Sequence, residues 1–327
     1  MALKTEKIAV LETLKSRRLP VSLREIESLT DGSIAERTLR RWLADWVSQG
    51  TVRRTGRKRS TQYQWVQGTV SFAFMEGLSE SQQQALSAQL RDLWTHTSTA
   101  LEGNTLTLGD THFVLEEGLT ISGKPLKDHE EVTGHARAID LLYQSLNEPV
   151  TKALLFELHK AVQTEIVTDI YKPNGTWKVE PNGTYVVGDD GEQLYLEYAA
   201  PREVEPLMRD LIEAIDSVLP VPPDQAAWAY ARIHMAVVHV HPFWDGNGRI
   251  ARLVANIPLL KSGLPPLVIP TGERRNYIQI LARYQLAIGQ LSRQTGVWPD
   301  ESRLAEFVQF CSRCYQETEN LLARIRG

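Results

Sequence analysis

The sequence predicts a mainly α-helical protein in two parts: a small basic head of three helices and a β-hairpin, and a larger acidic helical body carrying one further hairpin. Three observations carry that prediction. Apolar residues recur at helical spacing through most of the 327 residues. Strand-like alternation is confined to the head's end and to residues 175–187. Charge divides the chain: residues 1–66 hold 14 Lys and Arg against 7 Asp and Glu, and the rest hold 22 against 33.

The head is built as follows. Residues 4–16 form a helix with Ile8, Leu11 and Leu14 in one stripe. Ser22 caps a second helix, with Glu25 completing a capping box. Asp31-Gly32-Ser33 is a turn, and a third helix spans 34–48 with Leu39, Leu43 and Val47 inward, closed by Gly50. TVRR and TQYQWV are short strands around the basic loop TGRKRS. Three helices followed by a hairpin is the layout of a winged helix-turn-helix.

The body, 67–327, contains helices near 81–101, 110–118, 128–146, 150–167, 202–218, 225–240, 247–260, 273–290 and 300–325. Pro258 is expected to end or kink the helix that contains it. Residues 175–187, GTWKVEPNGTYVV, alternate around Asn182-Gly183, a strong hairpin signal.

Composition bounds the function. With 42% hydrophobic and 23% charged residues the chain is an ordinary globular one, which excludes disordered, collagenous and coiled-coil classes. No run approaches the ~18 apolar residues of a membrane span, and charges interrupt the N-terminus where a secretory signal would lie. Cys311 and Cys314 form no disulfide framework, which points to a reducing cytoplasm. With no further Cys or nearby His to complete a ligand set, the pair reads as core.

The chemistry concentrates in His241-Pro242-Phe243-Trp244-Asp245-Gly246-Asn247-Gly248-Arg249 and Arg252. Pro242 stops the preceding helix at His241, leaving a histidine at a rigid helix end. Gly246 and Gly248 permit a tight turn and close approach of a ligand. The helix starting near Asn247 offers free N–H groups and a positive dipole end, an anion site. Arg249 and Arg252 share a helix face. Asp245 supplies one hard oxygen, which suits Mg²⁺ shared with substrate phosphates. Each residue alone has an ordinary structural reading. Together, within twelve positions, they are the equipment of phosphoryl or nucleotidyl transfer.

The string resembles the signature of Fic domains, HPFx[DE]GN[GK]RxxR, at every position from His241 to Arg252. The resemblance implies a Fic-type helical bundle with a β-hairpin flap, and a protein adenylyltransferase that moves AMP from ATP to a Tyr, Thr or Ser hydroxyl of a target protein or of itself. On that resemblance His241 takes the hydroxyl proton and Asp245 holds Mg²⁺. Gly246, Asn247 and Gly248 form the anion hole, Arg249 binds phosphate and Arg252 orients the γ-phosphate. Doc-type kinases of the superfamily have Lys where Gly248 stands, and the phosphocholine transferases have Ala where Gly246 stands; this chain has the adenylylating residue at both. Trp177, Lys178 and Val179 fall on the implied flap, where relatives hold the target by strand addition; GTWK replaces the frequent GxYR. Asn276 and Tyr277 fall on a helix from which relatives contact adenine, although Tyr277 reads equally as a core aromatic.

Ser98-Thr99-Ala100-Leu101-Glu102-Gly103 resembles the inhibitory motif [ST]xxxE[GN] of the same family, on a helix near 90–103. The resemblance implies that Glu102 pairs with Arg252 and removes it from the γ-phosphate, since one guanidinium cannot serve both. In some relatives the same glutamate positions a water that removes AMP, so reversal is a second reaction the resemblance admits, and relatives often form homodimers. In the head, Arg37, Arg40 and Arg41 lie where a recognition helix meets base edges, and Arg57 and Lys58 lie in the wing. They point to double-stranded DNA as a partner and to an alternative role as a DNA-binding regulator that senses ATP. Winged modules also mediate protein contacts, an alternative the sequence leaves open.

Overall fold

The computed structural model describes residues 2–17, 20–30, 32, 34–48, 52–56, 61–65, 72–164, 169–188 and 191–326. The described residues are mainly helical, and their strands form two small sheets.

The N-terminal part holds α1 (Ala2–Ser16), β1 (Val21–Ser22), α2 (Leu23–Leu29), α3 (Glu36–Ser48), β2 (Val52–Thr55) and β3 (Gln62–Trp65). The capping box of Ser22 and Glu25 is present. The strands form an antiparallel sheet in the order β1-β3-β2. Val10, Leu14, Ile26, Leu39, Leu43 and Val52 make a core of their own. Ile8 does not join it and is 52% exposed. The buried stripe of α1 runs through Val10 and Leu14, four apart, which places both on one face of a helix.

The larger part contains α4 (Glu80–Leu101), α5 (Leu108–Glu117), α6 (Leu126–Gln144) and α7 (Lys152–Val162). The hairpin β4 (Gly183–Val187) and β5 (Gln193–Glu197) follows, then α8 (Pro201–Ser217), α9 (Ala226–Val240), α10 (Asn247–Val254), α11 (Ile257–Lys261), α12 (Arg274–Ile288) and α13 (Ala305–Arg326). Helix starts follow capping chemistry: Ser79 with Gln82, and Thr107 with Asp110, complete capping boxes. The central α9 is buried on nearly every side. It packs against α8, α10 and α13, which is why it is apolar all round rather than along one stripe.

Two expectations are corrected here. The helix expected over 247–260 is two helices, and the break comes at Ala255–Asn256, before Pro258. The Asn256 amide donates to the Arg252 and Leu267 carbonyls and its Oδ1 accepts from Leu267 N at 2.7 Å. Pro258 sits in the first turn of α11, where its missing N–H costs nothing. The hairpin, expected to turn at Asn182-Gly183, begins there instead. Gly183 pairs with Glu197 and Tyr185 with Tyr195, and beyond the last pair Gly188 N donates to Glu192 O at 2.9 Å. Tertiary bonds override the turn preference: Tyr198 N donates to Asn182 O at 3.1 Å, and the Asn182 side chain donates to Phe243 O at 3.1 Å. Asn182 is thereby fastened at the hairpin's base.

Candidate active site

The loop between α9 and α10 is shaped by two left-handed residues. His241 caps α9 with φ 52° and is the one non-glycine residue with positive φ among those described. Gly246 has φ 77° and precedes α10. Asn247 braces the loop from inside: its Oδ1 accepts from Phe243 N and its Nδ2 donates to Phe243 O, both at 2.9 Å. Its side chain is therefore committed to the loop.

The His241 ring stacks face to face on Tyr198, with centroids 3.7 Å apart. Its Nδ1 is 3.3 Å from the Val238 carbonyl. That contact requires N–H on Nδ1 and leaves the Nε2 lone pair free. Burial first, and the nearby Lys178 charge second, lower its pKa to about 3. The imidazole is neutral at physiological pH, the state a proton acceptor needs.

Asp245 is the solvent-facing member of the loop, its side chain 64% exposed and 3.5 Å from Arg249 Nη2. Arg249 is buried; its Nη1 donates to Val162 O at 2.9 Å and its Nη2 to Gln163 Oε1 at 3.3 Å. Arg252 is sealed, with 3% of its side chain exposed. Its Nε donates to Ser98 Oγ at 2.9 Å, Nη1 to the Tyr277 hydroxyl at 3.3 Å and Nη2 to Ser98 O at 2.8 Å. The fourth partner is Glu102 Oε1, 2.6 Å from Nη2, on a side chain 41% exposed. Burial, the largest single effect, opposes the guanidinium's charge, but Glu102 together with Tyr277 and Tyr230 raises the pKa above its ordinary value.

Glu102 closes α4, followed by Gly103 at φ 103°. Its carboxylate lies directly against Gly248: a Cβ placed there would fall 2.3 Å from Glu102 Oε1 and 3.1 Å from Arg252 Nη1. Gly248 is required for that approach, and the carboxylate covers the first turn of α10, where N–H groups have no helical partner.

Of the residues named from sequence, His241, Asp245, Gly246, Asn247, Gly248, Arg249, Arg252, Ser98, Glu102 and Gly103 meet at this loop. Tyr277 is buried beneath Arg252, where its hydroxyl bridges to His234 Nε2 at 3.0 Å. Asn276 turns to Glu273 Oε2 at 3.0 Å, within its own helix start. Trp177 and Lys178 precede the hairpin rather than forming it. Trp177 packs edge-on against Phe156 and its Nε1 donates to Glu205 Oε2 at 2.6 Å. Lys178 is buried. Val179 is exposed, as are Tyr185, Val187 and Tyr195 on the hairpin. Arg37, Arg40 and Arg41 are exposed on α3, with Arg40 Nε donating to Glu36 Oε1 at 2.7 Å; Arg57 and Lys58 lie outside the described residues.

Sequence reasoning missed four supports. Tyr198 stacks on His241. His159 stacks on Phe243, contacts Asp245 O with Nε2 at 3.0 Å and accepts from Gly175 N at 2.9 Å. Gln163 holds Arg249. Arg274 Nε donates to Leu101 O at 2.8 Å, capping the end of α4 next to Glu102. None carries a local signal, since each acts across a long sequence separation.

Comparison with known proteins agrees with the site. Residues 149–259 match the Fic/DOC family model. Among curated proteins, protein adenylyltransferase fic-1 of Caenorhabditis elegans is 33% identical over 192 residues, covering 57% of this chain and 35% of that protein. Protein adenylyltransferase Fic of Drosophila erecta is 30% identical over 230 residues, covering 68% and 40%. The chain thus spans about two fifths or less of these relatives' length. A Fic-domain-containing signalling protein from Bacteroides thetaiotaomicron has a similar structure, with TM-score 0.66, 28% identity, and coverage of 77% of this chain and 92% of that one. Fic-1 of C. elegans superposes with TM-score 0.55 at 25% identity, covering 76% and 69%. Loop, fold and relatives converge: the chain carries a Fic domain of the Fic/DOC family.

Proposed function

We propose that the protein is an ATP-dependent protein adenylyltransferase held inactive by Glu102. One observation carries the reading: a carboxylate lies against Gly248 and on Arg252, in the place a phosphate would take. In the reaction, His241 Nε2 accepts the proton of a target hydroxyl. The hydroxyl oxygen bonds to the α-phosphorus, the bond from that phosphorus to the bridging oxygen breaks, and pyrophosphate leaves. Arg249 and Arg252 neutralise the phosphates, and α10's free N–H groups hold them. Asp245 fits Mg²⁺, being one exposed carboxylate beside the anion site; the ion would neutralise phosphate charge there. The exposed edge of the β4–β5 hairpin, with Tyr185, Val187 and Tyr195, suits an extended target segment added as a strand. The test is transfer of label from α-labelled ATP to protein, with γ-labelled ATP as the control for kinase activity.

The Arg274 contact gives a graded prediction. Leu101 O is one of the last carbonyls of α4, which lack helical partners. Arg274→Ala removes its partner and loosens the turn that carries Glu102. Self-labelling is expected to rise about two- to tenfold, the worth of one hydrogen bond. Unchanged labelling would show that Arg274 does not hold the inhibitory helix.

A second reading, duplex DNA binding by the head, is favoured by the exposed Arg37 and Arg41 on α3 of a winged helix-turn-helix layout. Retention on duplex DNA should fall with salt, and each arginine replaced by Ala should lower the salt slope by about one if it meets a phosphate. Retention unaffected by either change would assign this face to protein contacts.

A further inference from the structure

The transfer chemistry leaves one buried cation without a task. Lys178 is 2% exposed. Its ammonium donates to a single partner among the described residues, Asn182 Oδ1 at 2.5 Å, and pairs with no carboxylate among them. Burying a charged amine against a neutral amide is costly, so its retention calls for a function.

Its connections all lead to the loop from His241 to Trp244. Lys178 N donates to Pro242 O at 2.9 Å. Asn182, which receives the ammonium, donates to Phe243 O at 3.1 Å and reaches Trp244 O at 3.4 Å. Tyr198, whose ring lies 5.8 Å from the ammonium, is the ring stacked on His241. We propose that Lys178 is a positioning residue for His241, holding through Asn182 the loop that follows it and placing its charge beside the Tyr198 ring that stacks on the imidazole.

The inference rests on His241 serving as the base. Charged groups surround the loop on several elements: Glu102 on α4, Glu197 on β5, Asp245 beside it, and Arg249 and Arg252 on α10. Burial does most to hold the imidazole neutral; among these charged groups Lys178 adds to it, and the Val238 carbonyl opposes both. Burial also lowers Lys178 itself to about 7 against the pull of Glu197. Removing the ammonium should therefore raise the pH at which His241 takes up a proton and loosen Asn182, which holds the loop at Phe243.

Histidine NMR on the full chain tests this without requiring catalysis, with the His241 signal assigned by its loss in His241→Asn. In Lys178→Met the onset of His241 protonation should move up by about one pH unit, the size of a near like-charge effect. Lys178→Arg should keep the original position, and Lys178→Gln gives the same readout if the Met variant does not fold. In a Glu102→Gly background the acid limb of label transfer should move with the titration. A His241 titration unmoved in Lys178→Met, or moved as far in Lys178→Arg, overturns the proposal. A shifted titration in a chain that transfers no label upholds it and rejects the adenylyltransferase reading instead.

Discussion

Label transfer from α-labelled ATP is expected to fall by about 10²–10⁴ when His241 becomes Ala, the contribution of a positioned general base. The magnitude follows from how the imidazole is held. Tyr198 fixes its plane at 3.7 Å, the Val238 carbonyl fixes its tautomer, and a pKa lowered to about 3 by burial keeps it neutral. None of these is reproduced by water in the space that Ala leaves. The backbone provides a control. His241 sits at φ 52°, a region that Ala adopts at a cost of about 1–2 kcal/mol and Asn tolerates better. His241→Asn should match His241→Ala in lost transfer while melting closer to the parent. Transfer persisting in both variants would remove His241 from the chemistry.

The opposite change is expected at Glu102. Glu102→Gly should raise ATP affinity and self-labelling by about 10- to 100-fold, from the ~1.5–3 kcal/mol of a hydrogen bond to a charged group. The reason is competition for one guanidinium. Arg252 keeps Ser98 Oγ, Ser98 O and Tyr277 as partners when Glu102 leaves, so it stays in place with one N–H free for phosphate. Glu102, with 41% of its side chain exposed, is the mobile partner of the pair. The same variant also clears the carboxylate from above Gly248. Isothermal titration with Mg²⁺–ATP and α-label incorporation measure the two effects. If both stay at the parent level, the inhibitory role of Glu102 is wrong.

The site was legible where chemistry is local. A proline after a histidine, two glycines and two arginines one turn apart specify a helix end, a tight turn and an anion-binding helix start without knowledge of the rest of the chain. The pairing of Glu102 with Arg252, 150 residues apart, was reachable only by resemblance, because neither residue's neighbours indicate the other. Asn182-Gly183 shows the reverse case. The dipeptide favours a turn, yet the carbonyls of Phe243 and Trp244 and the Tyr198 amide hold Asn182 at the hairpin's base. Ile8 shows the same limit, since the face of α1 that meets its core runs through Val10, Leu11 and Leu14 and leaves Ile8 exposed.

By itself the sequence determined most of the helices, the capping box of α2 and the set of reactive groups between His241 and Arg252. These depend on propensities and spacings within a few residues, which any folded context preserves. Only the tertiary structure decided that a glutamate from α4 rests on Gly248, that Tyr198 covers His241, and that Lys178 is sealed beneath the loop. Those outcomes depend on which distant surfaces meet and exclude water, and burial of a charge is a property of that meeting rather than of any stretch of chain.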